Sequence, residues 1–238
     1  MVPESGGTVK LPRTKAERAA RAQAVLARLR TLHPDAHCEL DHDGPFQLLC
    51  ATVLSAQTTD VAVNKATPGL FAAYPDAHAM AAAEPTDLEP LLSTLGMYRQ
   101  KSKNLVNLAR QLCAKYNGEV PRTLEQLVQL PGVGRKTANV VLGVAFGAPE
   151  GVVVDTHVQR LSQRLGFTKK TTPEEIEQVL CALLPREDWD IVSHTLIFHG
   201  RRVCYARKPA CDSCGAADLC PSAGHAEHVG RKPPRVRS

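Results

Sequence analysis

The feature that most constrains this chain is a group of four cysteines near its C-terminal end. The group consists of Cys204, Cys211, Cys214 and Cys220, which fall within 17 residues with the spacing C-x6-C-x2-C-x5-C. The stretch that carries them is typical of a loop, since it contains Pro209, Gly215 and Pro221. A loop with this cysteine density requires a cross-link. In an intracellular chain four thiolates are expected to bind a metal rather than to form two disulfides.

The identity of the metal is less constrained than its presence. Zinc with four thiolates is the simpler alternative, and the spacing alone does not exclude it. However, a zinc ribbon usually has two C-x2-C pairs and this stretch has one, so the uneven spacing favours an iron-sulfur cluster. With all four cysteines bound the site has no open ligand position, which predicts a structural or redox role. Between the first two ligands, YARKPA is predicted to present Arg207 and Lys208 to a phosphate.

Composition narrows the class of protein. The chain of 238 residues has a formal net charge of +5, which is too moderate to establish a nucleic-acid partner by itself. Aromatic residues make up 4%, which argues against stacking on many bases. With no signal peptide and no membrane span in the sequence, a cytoplasmic protein beside the chromosome is expected. For the basic pair Lys169 and Lys170, a solvated surface and a functional contact are equally consistent with the sequence.

Apolar residues recur with a helical period along most of the chain, which predicts an all-α fold. Residues 15–31, the stretch from Pro45 and the segment around Leu105, Leu108 and Leu112 all show it. Thr172, Pro173 and Glu175 have the layout of a capping box, and GVVVD at 151–155 is the only candidate strand. Residues 1–14 are predicted to be a disordered extension, and 225–238 a flexible basic tail.

The sharpest local pattern is TLEQLVQLPGVGRKTANVVLGVAFG, in which two helical stretches flank a short turn. Gly132 and Gly134 permit positive φ and close approach of another molecule, with Val133 between them. The next helix then begins with outward-facing N–H groups and the positive end of its dipole, which together bind a DNA phosphate without reading sequence. The alternative is an ordinary helix-helix turn. The full L-P-G-V-G-R-K-T string favours phosphate binding.

Lys136 is placed in the first turn of that second helix. The helix dipole and neighbouring Arg135 both disfavour its ammonium form, and a neutral lysine can attack a sugar carbon. An equally strong interpretation from the sequence is that Lys136 only contacts phosphate. Asp155, after an apolar run, fits a helix N-cap better than a catalytic carboxylate on spacing alone, although one residue can do both.

Together, the hairpin, Lys136, Asp155 and the cysteine spacing resemble the endonuclease III family of DNA glycosylases over roughly residues 16–222. The resemblance implies a two-lobed α-helical fold. A helical-barrel domain would span 38–148, and an iron-sulfur domain would combine 15–37 with 149–224 around a 4Fe-4S cluster. It also implies that Lys136 is the Schiff-base nucleophile and Asp155 the catalytic aspartate.

The resemblance further implies excision of oxidised pyrimidines from double-stranded DNA, with lyase cleavage at the abasic site, by a monomer. The damaged nucleotide would be flipped out of the duplex. Gln57 matches the residue that fills the resulting gap, although the sequence by itself favours a helix-surface glutamine. Met97 stands where the family commonly places a leucine wedge. His157 fits the family pattern at the catalytic mouth, and a helix-packing role is its alternative.

Two other functions would use parts of the same pattern. The adenine glycosylase branch lacks the lysine, needs an added C-terminal domain, and places a catalytic glutamate where this chain has Thr52. A non-catalytic DNA-binding module would use the hairpin and a structural metal. Lys136 together with Asp155 argues against that module.

Overall fold

A computed structural model describes residues 9–229 of the chain. Within that range there are eleven α-helices, four short 3-10 helices and no strand, which confirms the predicted all-α class. GVVVD is therefore not a strand. The α-helices are α1 (Lys15–Leu32), α2 (Gly44–Leu54), α3 (Asp60–Ala73), α4 (Ala77–Ala81), α5 (Pro85–Leu92), α6 (Tyr98–Tyr116), α7 (Leu124–Leu127), α8 (Arg135–Phe146), α9 (Thr156–Arg164), α10 (Pro173–Leu183) and α11 (Trp189–Arg202). None of the described helices is long and apolar enough to cross a membrane.

Residues 38–150 form one compact unit with its own hydrophobic core. In α6 the helical period places Leu105, Leu108 and Leu112 on one fully buried face, against which α4 and α5 pack. Every residue of α2 from Leu48 to Leu54 is buried, as expected for a helix that is apolar on all sides, and α2 packs on α8. This packing holds the start of α8 in place.

The second compact unit combines, among the described residues, 9–37 with 151–229. α1 packs on α10 and α11, and α9 packs on the same two helices. Its core includes Val25 and Leu29 from α1 and Leu161 from α9, all fully buried. The N-terminal helix thus buries its apolar face on helices from the opposite end of the sequence.

The helix starts depend on which groups compete for the capping side chain. At α1, Thr14 and Glu17 form a reciprocal capping box. At α10 the predicted capping box is wrong in detail, although the helix begins at Pro173 as expected. The Thr172 hydroxyl instead donates to the Glu175 carboxylate at 2.8 Å, which also accepts from Lys170 Nζ at 2.7 Å. The Thr172 hydroxyl thus bonds the carboxylate and makes no side-chain cap to a backbone N–H.

The two predicted terminal segments lie partly outside the described residues, namely at 1–8 and 230–238. Leu11 lies close to Gly166, and its side chain is 45% exposed. Ala226–His228 form a 3-10 helix, and the side chain of Ala226 is buried.

Candidate DNA interface and cysteine cavity

The predicted helical hairpin is formed by α7 and α8, and the turn between them is anchored in the core. Val133 is 6% exposed, and its N–H donates to the Leu130 carbonyl at 3.1 Å. Val133 is thus a buried anchor of the turn, which places its side chain on the protein side of the predicted phosphate contact.

The two glycines of the turn differ in why glycine is needed. Gly132 has φ +78, and an added Cβ would lie 3.1 Å from Asn104 Nδ2 and 3.2 Å from Val53 Cγ1. Gly134, by contrast, has φ −94, and an added Cβ would meet nothing within 4 Å. Positive φ is therefore used at Gly132 only. At Gly134 the protein leaves open space beside the backbone, as the approach of another molecule requires.

The first turn of α8 has the properties of an anion site. Gly134 is the N-cap and supplies no capping side chain, and the first ladder bond is donated by Ala138 N to Gly134 O at 3.0 Å. The first turn contains no acidic residue, while Arg135 and Lys136 are both exposed there. The positive end of the helix dipole and two cations thus point the same way.

Gln57 and Met97 belong to the same unit as the hairpin, and both adopt the left-handed backbone conformation. Gln57 (φ 55) lies in the turn after α2, so the helix-surface interpretation is wrong. Met97 (φ 57) is the N-cap of α6, and its side chain is 55% exposed. Non-glycine residues with positive φ are uncommon and concentrate at functional positions. An exposed methionine at such a position favours contact with a partner over packing.

Asp155 is the N-cap of α9, as its spacing predicts. Its Oδ1 accepts hydrogen bonds from the backbone N–H groups of His157 and Val158, both at 2.8 Å. Because both cap bonds use Oδ1, the cap fixes the carboxylate without using Oδ2. His157 is half-buried over Gly200, where a Cβ on the glycine would lie 2.8 Å from His157 Nδ1. The helix-packing role of His157 is thus present in the structure.

All four cysteines of the C-terminal group line one cavity, whose remaining wall is largely apolar. Each thiol is half-buried, and burial together with the three neighbouring cysteines raises the pKa of Cys220 to about 11. Four thiolates in such a cavity need positive charge among them. Among residues 9–229 no three His, Cys, Asp or Glu side chains are grouped closely enough to hold a single metal ion.

Arg164 is a buried residue of this region that sequence patterns did not single out. It is 0% exposed, and its guanidinium donates to the carbonyls of Tyr205 at 2.7 Å and Ala206 at 3.0 Å. Its NH1 also lies 3.3 Å from Cys204 Sγ. Because an arginine on a helix is normally exposed, the sequence pattern assigns Arg164 to the surface, and nothing in the pattern indicates that it is buried beside the cysteines.

This arginine holds the base of the loop that carries Arg207 and Lys208. The loop is closed by the Ala210 N–H, which donates to the Val203 carbonyl at 3.0 Å. Arg207 and Lys208 are exposed at its tip, and Lys208 has φ 48. The predicted pinned basic loop is thus present, and backbone bonds contribute to pinning it.

Two buried histidines complete the surroundings of the cysteines. His33 Nε2 lies 2.9 Å from His199 Nδ1, and His199 Nε2 lies 3.7 Å from Cys214 Sγ. His199 thus links Cys214 to His33 through its two ring nitrogens.

Comparison with known proteins agrees with this arrangement of parts. Residues 50–186 match the model of the HhH-GPD superfamily of base excision DNA repair proteins. Endonuclease III of Synechocystis is 52% identical over 213 residues, which are 90% of this chain and 97% of that protein. The chain belongs to the endonuclease III family. Endonuclease III of Escherichia coli K12 is 43% identical over 201 residues, 84% of this chain and 95% of that one.

Solved structures of the endonuclease III family give the same result. A trapped endonuclease III–DNA covalent intermediate superimposes with a TM-score of 0.81 at 45% identity, covering 91% of this chain and 99% of that chain. A thermostable thymine-DNA glycosylase is 23% identical with a TM-score of 0.73, which shows a shared fold alone. The predicted family and two-lobed helical fold class are confirmed.

Proposed function

We propose that this chain excises oxidised pyrimidines from double-stranded DNA and cleaves the strand at the resulting abasic site. The observation that carries the proposal is the start of α8, where exposed Lys136 follows a glycine N-cap with open space beside it. A phosphate seated on the N–H groups of this turn would bring the deoxyribose of a flipped nucleotide toward the lysine. The relatives in the endonuclease III family support the same activity.

We assign the bond-breaking steps to the side-chain amine of Lys136. Its neutral Nζ attacks C1′ of the deoxyribose, the N-glycosidic bond breaks, and the base departs with a proton. Nζ is then bonded to C1′ of a closed sugar ring; the C1′–O4′ bond breaks, O4′ takes a proton, and the opened sugar is held as a protonated imine. This imine makes the C2′ hydrogen acidic. Loss of that proton expels the 3′ phosphate, which cuts the strand, and water then releases the lysine.

Asp155 is proposed to be the second catalytic residue and to act as a fixed negative charge. Its cap bonds hold Oδ1 at 2.8 Å from two N–H groups, so the carboxylate has one orientation. A carboxylate held in this way would stabilise positive charge on the sugar as the base leaves, or accept a proton from the attacking amine.

DNA contacts are proposed at four further places. Gln57 would fill the gap left by the flipped nucleotide, and Met97 would enter the opposite strand as an apolar wedge, which its flexible side chain allows. Arg207 and Lys208 would contact phosphates from the cysteine loop. His157 would combine its packing role with a position near the flipped sugar.

The cysteine cavity is proposed to hold a 4Fe-4S cluster on Cys204, Cys211, Cys214 and Cys220. The support is that the thiols line one cavity without any three converging on a single-ion site in the described chain. A cluster has its ligands farther apart than a zinc ion does. When bound, it would cross-link the segment and supply one-electron redox chemistry. Purified protein that contains zinc but neither iron nor acid-labile sulfide would overturn this assignment.

We also propose that the compact units correspond to a helical-barrel domain, 38–148, and an iron-sulfur domain formed by 15–37 and 149–224. The protein would act as a monomer on chromosomal DNA in the cytoplasm. Sedimentation of the protein with and without a lesion-containing duplex tests the monomer.

The decisive experiment is borohydride trapping on a duplex with a thymine-glycol or abasic site. Wild-type protein should form a covalent adduct, and Lys136→Gln should form none. Lys136→Arg keeps the charge but cannot form an imine, so it should bind DNA and still give no adduct. Lys65→Gln removes an exposed lysine of α3 in the same unit and should trap like wild type. An undiminished adduct with Lys136→Gln would overturn the mechanism.

A further inference from the structure

A second cavity, which we call the basic pocket, lies within the unit formed by residues 9–37 and 151–229. Its volume is about 680 Å³, and its cationic side chains are Arg13, Arg18, Arg21 and Lys169. Cavities of roughly 300–1,000 Å³ are the size that binds small molecules. The pocket contains none of the residues assigned above to DNA or to the metal site.

The charges of the basic pocket are not balanced by acids. No described residue that lines it is Asp or Glu, and its arginines and lysine form no ion pair within residues 9–229. Other cations of the same unit do have partners. Lys170 Nζ lies 2.7 Å from Glu175 Oε1, and Arg28 NH1 lies 3.2 Å from Asp218 Oδ1. Of the adjacent lysines 169 and 170, therefore, only the second is paired.

Two arginines of the pocket are held in place by backbone oxygens. Arg21 NH2 donates to the carbonyls of Leu165 at 2.8 Å and Leu219 at 2.7 Å, and Arg18 NH2 donates to Phe167 O at 3.3 Å. Burial lowers the pKa of the Arg21 guanidinium. A partly desolvated cation whose only bonds are to neutral carbonyls still favours an anion, and a fixed guanidinium loses little entropy on binding one.

One side of the pocket is apolar. Phe167 and Leu183 are 3% and 6% exposed and form part of its lining together with Pro221. Gly166 has φ +70, and a Cβ there would lie 2.9 Å from Leu11 and 3.0 Å from Pro221, so glycine allows this wall to close up. An anion with an attached ring or hydrocarbon suits such a lining better than a bare ion does.

The concave shape also separates this ligand from duplex DNA. A DNA backbone presents its phosphates on the outside of a rod, so it would meet the exposed side chains of Arg13, Arg18 and Lys169 before the half-buried Arg21. A small molecule that enters the cavity can instead contact all four side chains at once.

We propose that the basic pocket binds a small organic polyphosphate, of which a nucleoside triphosphate is the representative, in addition to the base-excision activity. Its phosphates contact Arg13, Arg18, Arg21 and Lys169, and its organic part lies against Phe167 and Pro221. The sequence left Lys169 either on a solvated surface or in a functional contact, and this proposal assigns it the functional contact.

Isothermal titration of the full-length protein with magnesium-free ATP, at constant ionic strength, tests this. Arg18→Gln and Lys169→Gln should each raise Kd about tenfold, the loss expected for one charge-assisted contact. Lys170→Gln and Arg28→Gln are the matched controls, since each removes a paired cation outside the pocket, and they should leave Kd unchanged. Circular dichroism melting verifies that each variant is folded.

Two probes separate the possible ligand sources. Sodium tripolyphosphate should bind more weakly than ATP, because it lacks the organic part, and equal affinity would overturn the role of the apolar wall. The proposal is wrong if ATP shows no binding at millimolar concentration, or if Lys170→Gln weakens binding as much as Lys169→Gln. It is also wrong if the pocket variants weaken only binding of a DNA duplex, which would make the pocket part of the DNA interface. Lyase activity plays no part in the test, so failure of the pocket proposal leaves the proposed function standing.

Discussion

Substituting alanine for each of the two glycines of the hairpin should affect different properties: one substitution should lower stability, and the other should weaken DNA binding. Gly132→Ala places a Cβ at φ +78, 3.1 Å from Asn104 Nδ2 and 3.2 Å from Val53 Cγ1. The left-handed conformation costs alanine about 1–2 kcal/mol, and the tight contacts add to this, so we expect a loss of about 2 kcal/mol. For a chain of this size that lowers Tm by about 4–8 °C.

Gly134→Ala is expected to behave in the opposite way. Its φ of −94 suits any residue, and the added Cβ meets nothing within 4 Å. The entropy removed from the unfolded chain, about 0.4–1 kcal/mol, roughly offsets the poorer N-cap, so stability should stay within about 0.5 kcal/mol of wild type. The methyl group would, however, occupy the open space beside the first turn of α8. We expect duplex affinity to fall about tenfold or more, equivalent to about 1.4 kcal/mol.

The assays are urea unfolding and fluorescence anisotropy with a lesion-containing duplex, measured on both variants. Gly132→Ala should bind DNA to a similar extent where it is folded. The reasoning is refuted if Gly134→Ala binds DNA like wild type, or if the two variants lose the same stability.

Three further changes test the other unit. Asp155→Asn keeps the N-cap, so its stability should stay within about 0.5 kcal/mol of wild type while base release falls steeply; Asp155→Ala should in addition lose about 1 kcal/mol of stability. Urea unfolding measures stability, and single-turnover experiments measure base release from thymine-glycol DNA. Normal base release by the asparagine variant would contradict a catalytic role. Arg164→Met leaves several buried carbonyls without a hydrogen-bond donor, so it should lower the free energy of unfolding by about 3 kcal/mol or more and reduce the iron content per chain. Urea unfolding and metal analysis measure the two effects. Iron content equal to that of wild type would show that this arginine does not organise the loop. Replacing Arg207 and Lys208 together by glutamine should weaken lesion-containing and undamaged duplex alike and reduce the salt dependence of binding by about two phosphate contacts; an unchanged salt slope would remove the loop from the interface.

The local features of the site could be predicted because each depends on residues close together in sequence. The turn between α7 and α8 needs only the L-P-G-V-G string, and Asp155 caps α9 through N–H groups two and three residues ahead. The cysteine group was recognisable by its spacing. Such local patterns depend little on which distant segments pack around them, so the helical class and the hairpin could be predicted correctly.

Other features depend on contacts between distant residues and were beyond the sequence. Gly132 takes positive φ and Gly134 does not, because Asn104 and Val53 crowd the first and nothing crowds the second. At α10 the Thr172 hydroxyl donates to the Glu175 carboxylate, which Lys170 also contacts, instead of capping a backbone N–H. Neither competition is visible as a periodic pattern.

By itself, the sequence determined an all-α chain with a helical hairpin, a lysine at a helix start and a group of four closely spaced cysteines. Tertiary structure alone decided that Arg164 is fully buried under the cysteine loop, that Gln57 lies in a turn, and that Lys169 lines a pocket while Lys170 is paired. The physical reason is that periodicity and spacing report on backbone geometry over a few residues. Burial and charge pairing depend on which distant segments meet, as α1 meets α10 and α11.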